Sequence, residues 1–203
     1  MQKPNVVVFD LGKVLLDFDY GVAVRNLVQH CQVTEERLHE LLNQSDLLFR
    51  YETGLMSTSE FFEEVRSQAS FCQGQETFEP IFGDIFQPIP EMIALNEELR
   101  AAGVPTYIFS NTNDMAIRHI RSRYPFFADF NAYILSYEKG AMKPSPAIYE
   151  VVENETGTTG SGILYIDDRL ENVEQGAARG WQVVHHSSPR ITVPHVKRAL
   201  GIY

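Results

Sequence analysis

Cysteine is nearly absent: Cys31 and Cys72 are the only two in 203 residues. That excludes a disulfide framework and fits a reducing compartment. Long apolar runs are missing too. None approaches the ~20 residues of a membrane-spanning helix, so no membrane partner is expected. Positive charge is scarce, with 17 Lys and Arg against 27 Asp and Glu and a formal net charge of -10. A chain of this sign repels phosphate backbones, which argues against nucleic acid as a partner. It still admits a small anionic ligand whose charge is met by a cation or a local positive site. The opening residues, Met1-Gln2-Lys3-Pro4-Asn5, show no signal-peptide architecture and run into a strand-like segment. The expectation is a cytoplasmic protein, monomeric or weakly homodimeric.

What is present is ordinary for a globular chain: 44% hydrophobic and 22% charged residues. Val6-Val7-Val8-Phe9 is a continuous, β-branched apolar run, as in a strand buried on both faces of a parallel sheet. Thr106–Phe109, Gly162–Ile166 and Gln182–Val184 have the same character, and Ala132–Leu135 is a weaker case. Helical signals alternate with them. Met92, Leu95 and Leu99 share a face ahead of Gly103. Ser145-Pro146 reads as an N-cap followed by proline at the first helical position. Leu170–Arg179 is a third helix, closed by Gly180. This alternation predicts an α/β fold with a doubly wound, mostly parallel sheet.

Residues 20–88 break the pattern, with helix signals and almost no strand signal. Leu38, Leu41 and Leu42 share a face. Ser57-Thr58-Ser59-Glu60 is a capping-box pattern. Phe78, Ile81, Phe82, Ile85 and Phe86 recur at helical spacing. An all-helical insert after the first strand is expected, with Pro88-Ile89-Pro90 as the return hinge. The predicted division is a core of residues 1–17 and 89–203 around a helical unit of 18–88.

Open α/β sheets bind ligands beyond the carboxyl ends of their strands. Asp10 follows the first strand, Ser110 and Asn111 the second, and Asp167 and Asp168 a later one; Lys143 lies in a loop ahead of a helix. Taken singly, each has an ordinary reading as a turn residue, a cap or a surface lysine. Adjacent carboxylates after an apolar run repel each other unless a cation or donor separates them. Together the residues suggest phosphoryl transfer. A carboxylate attacks phosphorus, a carboxylate-bound Mg²⁺ neutralises charge, and a lysine and a hydroxyl hold the phosphate oxygens.

Four segments in order complete the pattern: Asp10-Leu11-Gly12-Lys13-Val14-Leu15, Phe109-Ser110-Asn111-Thr112, Lys143-Pro144, and Tyr165-Ile166-Asp167-Asp168 with Asn172. Together they resemble the haloacid dehalogenase superfamily of aspartate-nucleophile phosphatases with a C1 cap. In detail they are similar to the branch typified by alpha-D-glucose-1-phosphate phosphatase. The phosphatase domain of soluble epoxide hydrolases is a more distant likeness. The resemblance implies Asp10 as nucleophile and Mg²⁺ ligand, and Ser110 and Lys143 as phosphoryl-binding catalytic residues. It also implies Asp168 as a direct metal ligand with Asp167 assisting, the backbone carbonyl of Gly12 facing the metal, and Asn172 behind them. The substrate it implies is a small phosphorylated metabolite, a sugar phosphate above all. Asn111, and Arg50 from the helical unit, are the remaining candidates for substrate binding.

One position departs from the superfamily pattern. Its phosphatases usually carry a second Asp, the general acid/base, where this chain has Gly12. Loss of such a group typically costs 10²–10⁴-fold. A good leaving group, or a proton from the cap with Asp19 the nearest candidate and Asp17 a weaker one, would compensate. Two other functions stay open: a non-catalytic phosphometabolite binder on the same fold, and a 2-haloacid dehalogenase. The retained nucleophile argues against the first, and the paired acids against the second. The basic residues Arg118, His119, Arg121 and Arg123 are expected to form a solvated helix face. His185-His186 is expected to be structural, and Cys31 and Cys72 to be buried.

Overall fold

The computed structural model describes residues 2–202. The described residues form seven strands and eleven α-helices. Strands β1 (Val6–Phe9), β4 (Thr106–Ser110), β5 (Ala132–Leu135), β6 (Ile163–Asp167) and β7 (Gln182–His185) form one parallel sheet in the order β5-β4-β1-β6-β7. Strands β2 (Leu16–Phe18) and β3 (Phe86–Pro88) pair antiparallel on their own. The helices of the α/β part are α6 (Pro90–Ala101), α7 (Asp114–Arg123), α8 (Ser136–Lys139), α9 (Pro146–Thr156), α10 (Leu170–Ala178) and α11 (Pro189–Leu200). Helices α1 (Tyr20–Leu27), α2 (Glu35–Leu42), α3 (Asp46–Glu52), α4 (Thr58–Ala69) and α5 (Gln75–Gly83) lie between β2 and β3.

The apolar strands are continuous because both faces of the sheet are covered. Val7, Phe9, Ile108, Leu164 and Ile166 pack with Met92, Leu95 and Leu99 of α6 and Val196 and Leu200 of α11. The alternate residues Val6, Val8, Phe109, Ile163 and Tyr165 pack with Ile148, Tyr149 and Val152 of α9. The period of two sends neighbours to opposite layers. Gly176 lets α10 close on the second layer, since a Cβ there would meet Tyr165, Trp181 and Val183 at 3.1–3.3 Å.

The helical unit has its own aromatic core, with Tyr51 stacked on Phe61 at 4.5 Å and Phe78 on Phe82 at 5.4 Å. Ser57 and Glu60 complete the capping box at the start of α4. Three expectations are corrected. The helical spacing of 78–86 stops at Gly83, because Phe86 pairs with Phe18 in the β2–β3 ladder. Pro146 starts α9 as expected, but Ser145 makes no side-chain cap bond. Cys31 is half-buried and Cys72 exposed. No helix among the described residues is long and apolar enough to cross a membrane.

Candidate active site

β1 sits between β4 and β6, with Phe9 in register with Ile108 on one side and Ile166 on the other. The carboxyl ends of these three strands therefore bring Asp10, Ser110 and Asp167 side by side. The Asp10 amide donates to the Ile166 carbonyl, and its Oδ1 accepts from the Leu11 amide at 2.7 Å. The chain then turns tightly. Leu15 and Leu16 donate to the Leu11 carbonyl, and Lys13 adopts the left-handed region at φ 59°.

Lys143 is the centre of the cluster. Its Nζ donates to Asp10 Oδ1 at 2.9 Å, Asp167 Oδ2 at 2.7 Å and the Phe109 carbonyl at 2.9 Å, with the side chain 1% exposed. Burial opposes its charge, but Asp10 and Asp167 outweigh that and leave its pKa above the ordinary lysine value. Asn111 fixes the loop: its Nδ2 donates to the Lys143 carbonyl at 3.0 Å, and its Oδ1 accepts from the Lys143 amide at 2.8 Å. The side chain of Asn111 is thus spent on positioning Lys143. The Ser110 hydroxyl makes only a long bond, 3.3 Å, to the Asn111 carbonyl.

The paired acids have different surroundings. Asp167 is fully buried and accepts from Lys143, Tyr165 Oη, the Arg169 amide and Asn172 Nδ2. Those donors outweigh its burial, and its pKa lies below the ordinary carboxylate value. Burial, and then the charge of Asp167, raise that of Asp168. Asp10 is raised well above its ordinary value, first by burial and then by Asp167 and Asp168, against the pull of Lys143.

Oxygens of Asp10, Asp167 and Asp168 lie within 4.8 Å of one another. This donor set suits a hard cation such as Mg²⁺, which favours one or two carboxylates. With Asp167 saturated by protein donors, Asp10 and Asp168 are the carboxylates left to face an ion. Gly12 lines the same cavity, and among the described residues no hydrogen bond is made to its carbonyl.

That cavity, about 360 Å³, lies between the strand ends and the helical unit. Asp10, Gly12, Ser110, Asn111, Lys143 and Asp168 all line it. Arg50 does not. On α3 the residues facing the cavity are Leu48, Phe49 and Glu52, with Ser45 before them, so the turn of ~100° per residue points Arg50 elsewhere. Arg50 is exposed in a surface groove beside Glu60, Glu63 and Glu64. Asp17 and Asp19 also lie outside the lining. Asp17 pairs with Lys13 Nζ at 2.5 Å, and Asp19 caps α1 through the Gly21 amide. Arg118, Arg121 and Arg123 of α7 form a charged surface as expected, Arg118 bonding Glu79 and Asp114, whereas His119 is half-buried against Gly83 and Phe86. His186 is buried on Thr192, and His185 donates to the Asp168 carbonyl.

Glu52 was not legible as a site residue. Glu52 lines the cavity; its carboxyl accepts from Tyr20 Oη at 3.3 Å and is pushed up to about 7 by burial. The Ser45, Leu48, Phe49, Glu52 spacing is the signal that could have found it, once α3 was known to face the sheet.

The model of the haloacid dehalogenase-like hydrolases matches residues 4–180. A sesquiterpene phosphatase of Aspergillus oryzae, astK, is 25% identical over 200 residues, covering 97% of both chains. A D-ribitol-5-phosphate phosphatase of Bacteroides thetaiotaomicron is 23% identical over 192 residues, covering 87% of this chain and 88% of its own. Among solved structures, a haloacid dehalogenase family enzyme of Bacteroides thetaiotaomicron in complex with magnesium and inorganic phosphate superposes with a TM-score of 0.78. It is 23% identical, over 89% of this chain and 93% of that one. The chain belongs to the haloacid dehalogenase-like hydrolase family.

Proposed function

We propose that the protein is a Mg²⁺-dependent phosphomonoesterase working through an aspartyl-phosphate on Asp10, with residues 18–88 as a cap over a core of 1–17 and 89–203. The observation that carries this reading is Lys143, buried and bonded to both Asp10 and Asp167 beside Asp168 at the switch point of the sheet. Asp10, Asp168 and the Gly12 carbonyl would hold the ion, with Asp167 holding Lys143. A similar structure holds magnesium and inorganic phosphate, which supports Mg²⁺ as the ion. Bound Mg²⁺ supplies the positive charge that lets an anion approach a phosphate dianion.

The chain's own residues do the rest. The ammonium of Lys143 and the hydroxyl of Ser110 take phosphoryl oxygens as charge develops on them. Asn111 keeps the lysine in place. A carboxylate oxygen of Asp10 forms a bond to phosphorus as the ester oxygen leaves, and water then releases phosphate from Asp10. A dehalogenase would not need a carboxylate such as Asp168 to hold a cation, and a pure binder would not need the nucleophile Asp10.

For the substrate, a small sugar phosphate fits the cavity volume and the ribitol-phosphate relative. A second reading, an apolar alcohol as leaving group, is favoured by the wall of Phe18, Tyr20, Leu48, Phe49 and Met142 and by the sesquiterpene relative. A screen of sugar phosphates against prenyl phosphates separates the two. The catalytic reading is tested by hydrolysis of an aryl phosphate with Mg²⁺, with EDTA, and by Asp10→Asn. Activity lost in both of the latter supports it. Activity that survives Asp10→Asn sinks it.

A further inference from the structure

The acid/base missing at position 12 has its place filled. A Cβ on Gly12 would stand 2.7 Å from Phe18 Cε1. That ring is clamped: Tyr20 and Phe86 lie against it at 5.7 and 6.1 Å, and Lys13 Nζ sits 4.8 Å from its centre. An acid at position 12 would have to displace Phe18. The proton that a poor leaving group needs must therefore come from another residue.

Among the described residues three carboxylates line the cavity: Asp10, Asp168 and Glu52. Asp10 is occupied by attack and Asp168 by the cation. Asp17 and Asp19 lie outside. Glu52 comes from the helical unit, opposite the strand ends. In an in-line displacement the leaving oxygen sits on the far side of phosphorus from the nucleophile, so it points away from the strand ends and toward the helical unit that supplies Glu52 to the cavity wall. Its backbone is anchored to the core, since Ser136 Oγ donates to the Glu52 carbonyl at 2.6 Å and accepts from the Thr112 amide at 2.9 Å.

We propose that Glu52 is the general acid/base of this site, donating the proton to the leaving-group oxygen and later recovering one from water. The inference rests on the phosphatase reading. In the first half-reaction the P–O bond to the alcohol breaks, the bond from Asp10 to phosphorus forms, and the Glu52 proton passes to the departing oxygen. In the second, water attacks phosphorus and gives its proton to the Glu52 carboxylate while the bond from phosphorus to the Asp10 oxygen breaks. Phosphate leaves and Glu52 is protonated again. Burial suits Glu52 to this cycle, because a carboxyl pushed up to about 7 is populated in both forms near neutral pH.

The test compares p-nitrophenyl, phenyl and simple alkyl phosphates with the full chain, Glu52→Gln and Asp10→Asn, all with Mg²⁺. For Glu52→Gln, kcat/KM on the alkyl ester should fall 10²–10⁴-fold. On p-nitrophenyl phosphate it should fall far less, with a burst of nitrophenolate ahead of slow turnover. An equal loss on all three esters would mark Glu52 as a binding or structural residue and overturn the proposal, as would full activity on the alkyl ester. If Glu52→Gln fails to fold, the wild-type enzyme still decides. Its kcat/KM should depend only weakly on leaving-group pKa, and a steep dependence rejects a protonated leaving group. No hydrolysis of any ester, by the wild type as by Asp10→Asn, would instead refute the phosphatase reading itself.

Discussion

Lys143 is the residue on which the site's electrostatics turn. It is buried between two carboxylates, and its removal would leave Asp10 and Asp167 facing each other with no cation. Breaking a buried ion pair by deleting one partner typically costs about 3–5 kcal/mol. Lys143→Met is therefore expected to lower the urea midpoint by the equivalent of about 3 kcal/mol at unchanged m-value, besides abolishing turnover. A midpoint equal to the wild type would show that the carboxylates simply take up protons. Asp167 illustrates how far residue types were readable. Its pairing with Asp168 called for a cation or a donor between the two acids, and four donors converge on Asp167 and turn it toward Lys143. The Tyr165 hydroxyl and the Arg169 amide among them carried no signal in the sequence, because both belong to contacts that exist only once β6 and its following turn are formed.

At the scale of elements, the strands were legible because a strand buried on both faces must be apolar at every position. Val6–Phe9 and the first four residues of Ile163–Asp167 show this most plainly. The acids and Ser110 were legible because strand ends are where such a sheet binds. The β2–β3 ladder was not, since three-residue strands such as Leu16–Phe18 have no period to read. The orientation of α3 was equally hidden. It depends on what α3 packs against, and this misassigned Arg50 and concealed Glu52. The junction after α3 is tight: Gly54 has φ +75°, and a Cβ there would fall 2.1 Å from the Tyr137 carbonyl oxygen. Left-handed strain and a backbone clash act together in Gly54→Ala, which is expected to destabilise the protein by about 2 kcal/mol. It should also lower kcat/KM by displacing the end of α3. A thermal melt with kinetics on the same preparation checks both, and a wild-type Tm would show that α8 yields.

For the whole molecule, stability and activity should oppose each other at Glu52. Its carboxyl is raised from 4.5 to about 7 in the fold by burial, with Tyr20 and Arg169 as its polar neighbours. A raised carboxylate pKa means the folded state holds a proton that the unfolded chain releases. Stability is thus lost as pH rises from 4.5 through about 7. Glu52→Gln removes that loss and should stabilise the protein above pH ~7 by up to about 3 kcal/mol, with little effect at pH ~4. Urea unfolding across this range measures it, and a variant less stable than wild type at high pH would contradict the assignment. The acidic balance of the chain does not prevent phosphate chemistry. On the proposed reading the site would meet the anion with Lys143 and with a cation held by Asp10 and Asp168. The central claim is that phosphorus is transferred to Asp10. Acid quench of the enzyme during turnover of an aryl phosphate with Mg²⁺, followed by peptide mass spectrometry, tests it most directly. The account predicts one phosphoryl group on Asp10, accumulating further in Glu52→Gln and absent in Asp10→Asn. Turnover with no phosphorylated Asp10 in either the wild type or Glu52→Gln would contradict it.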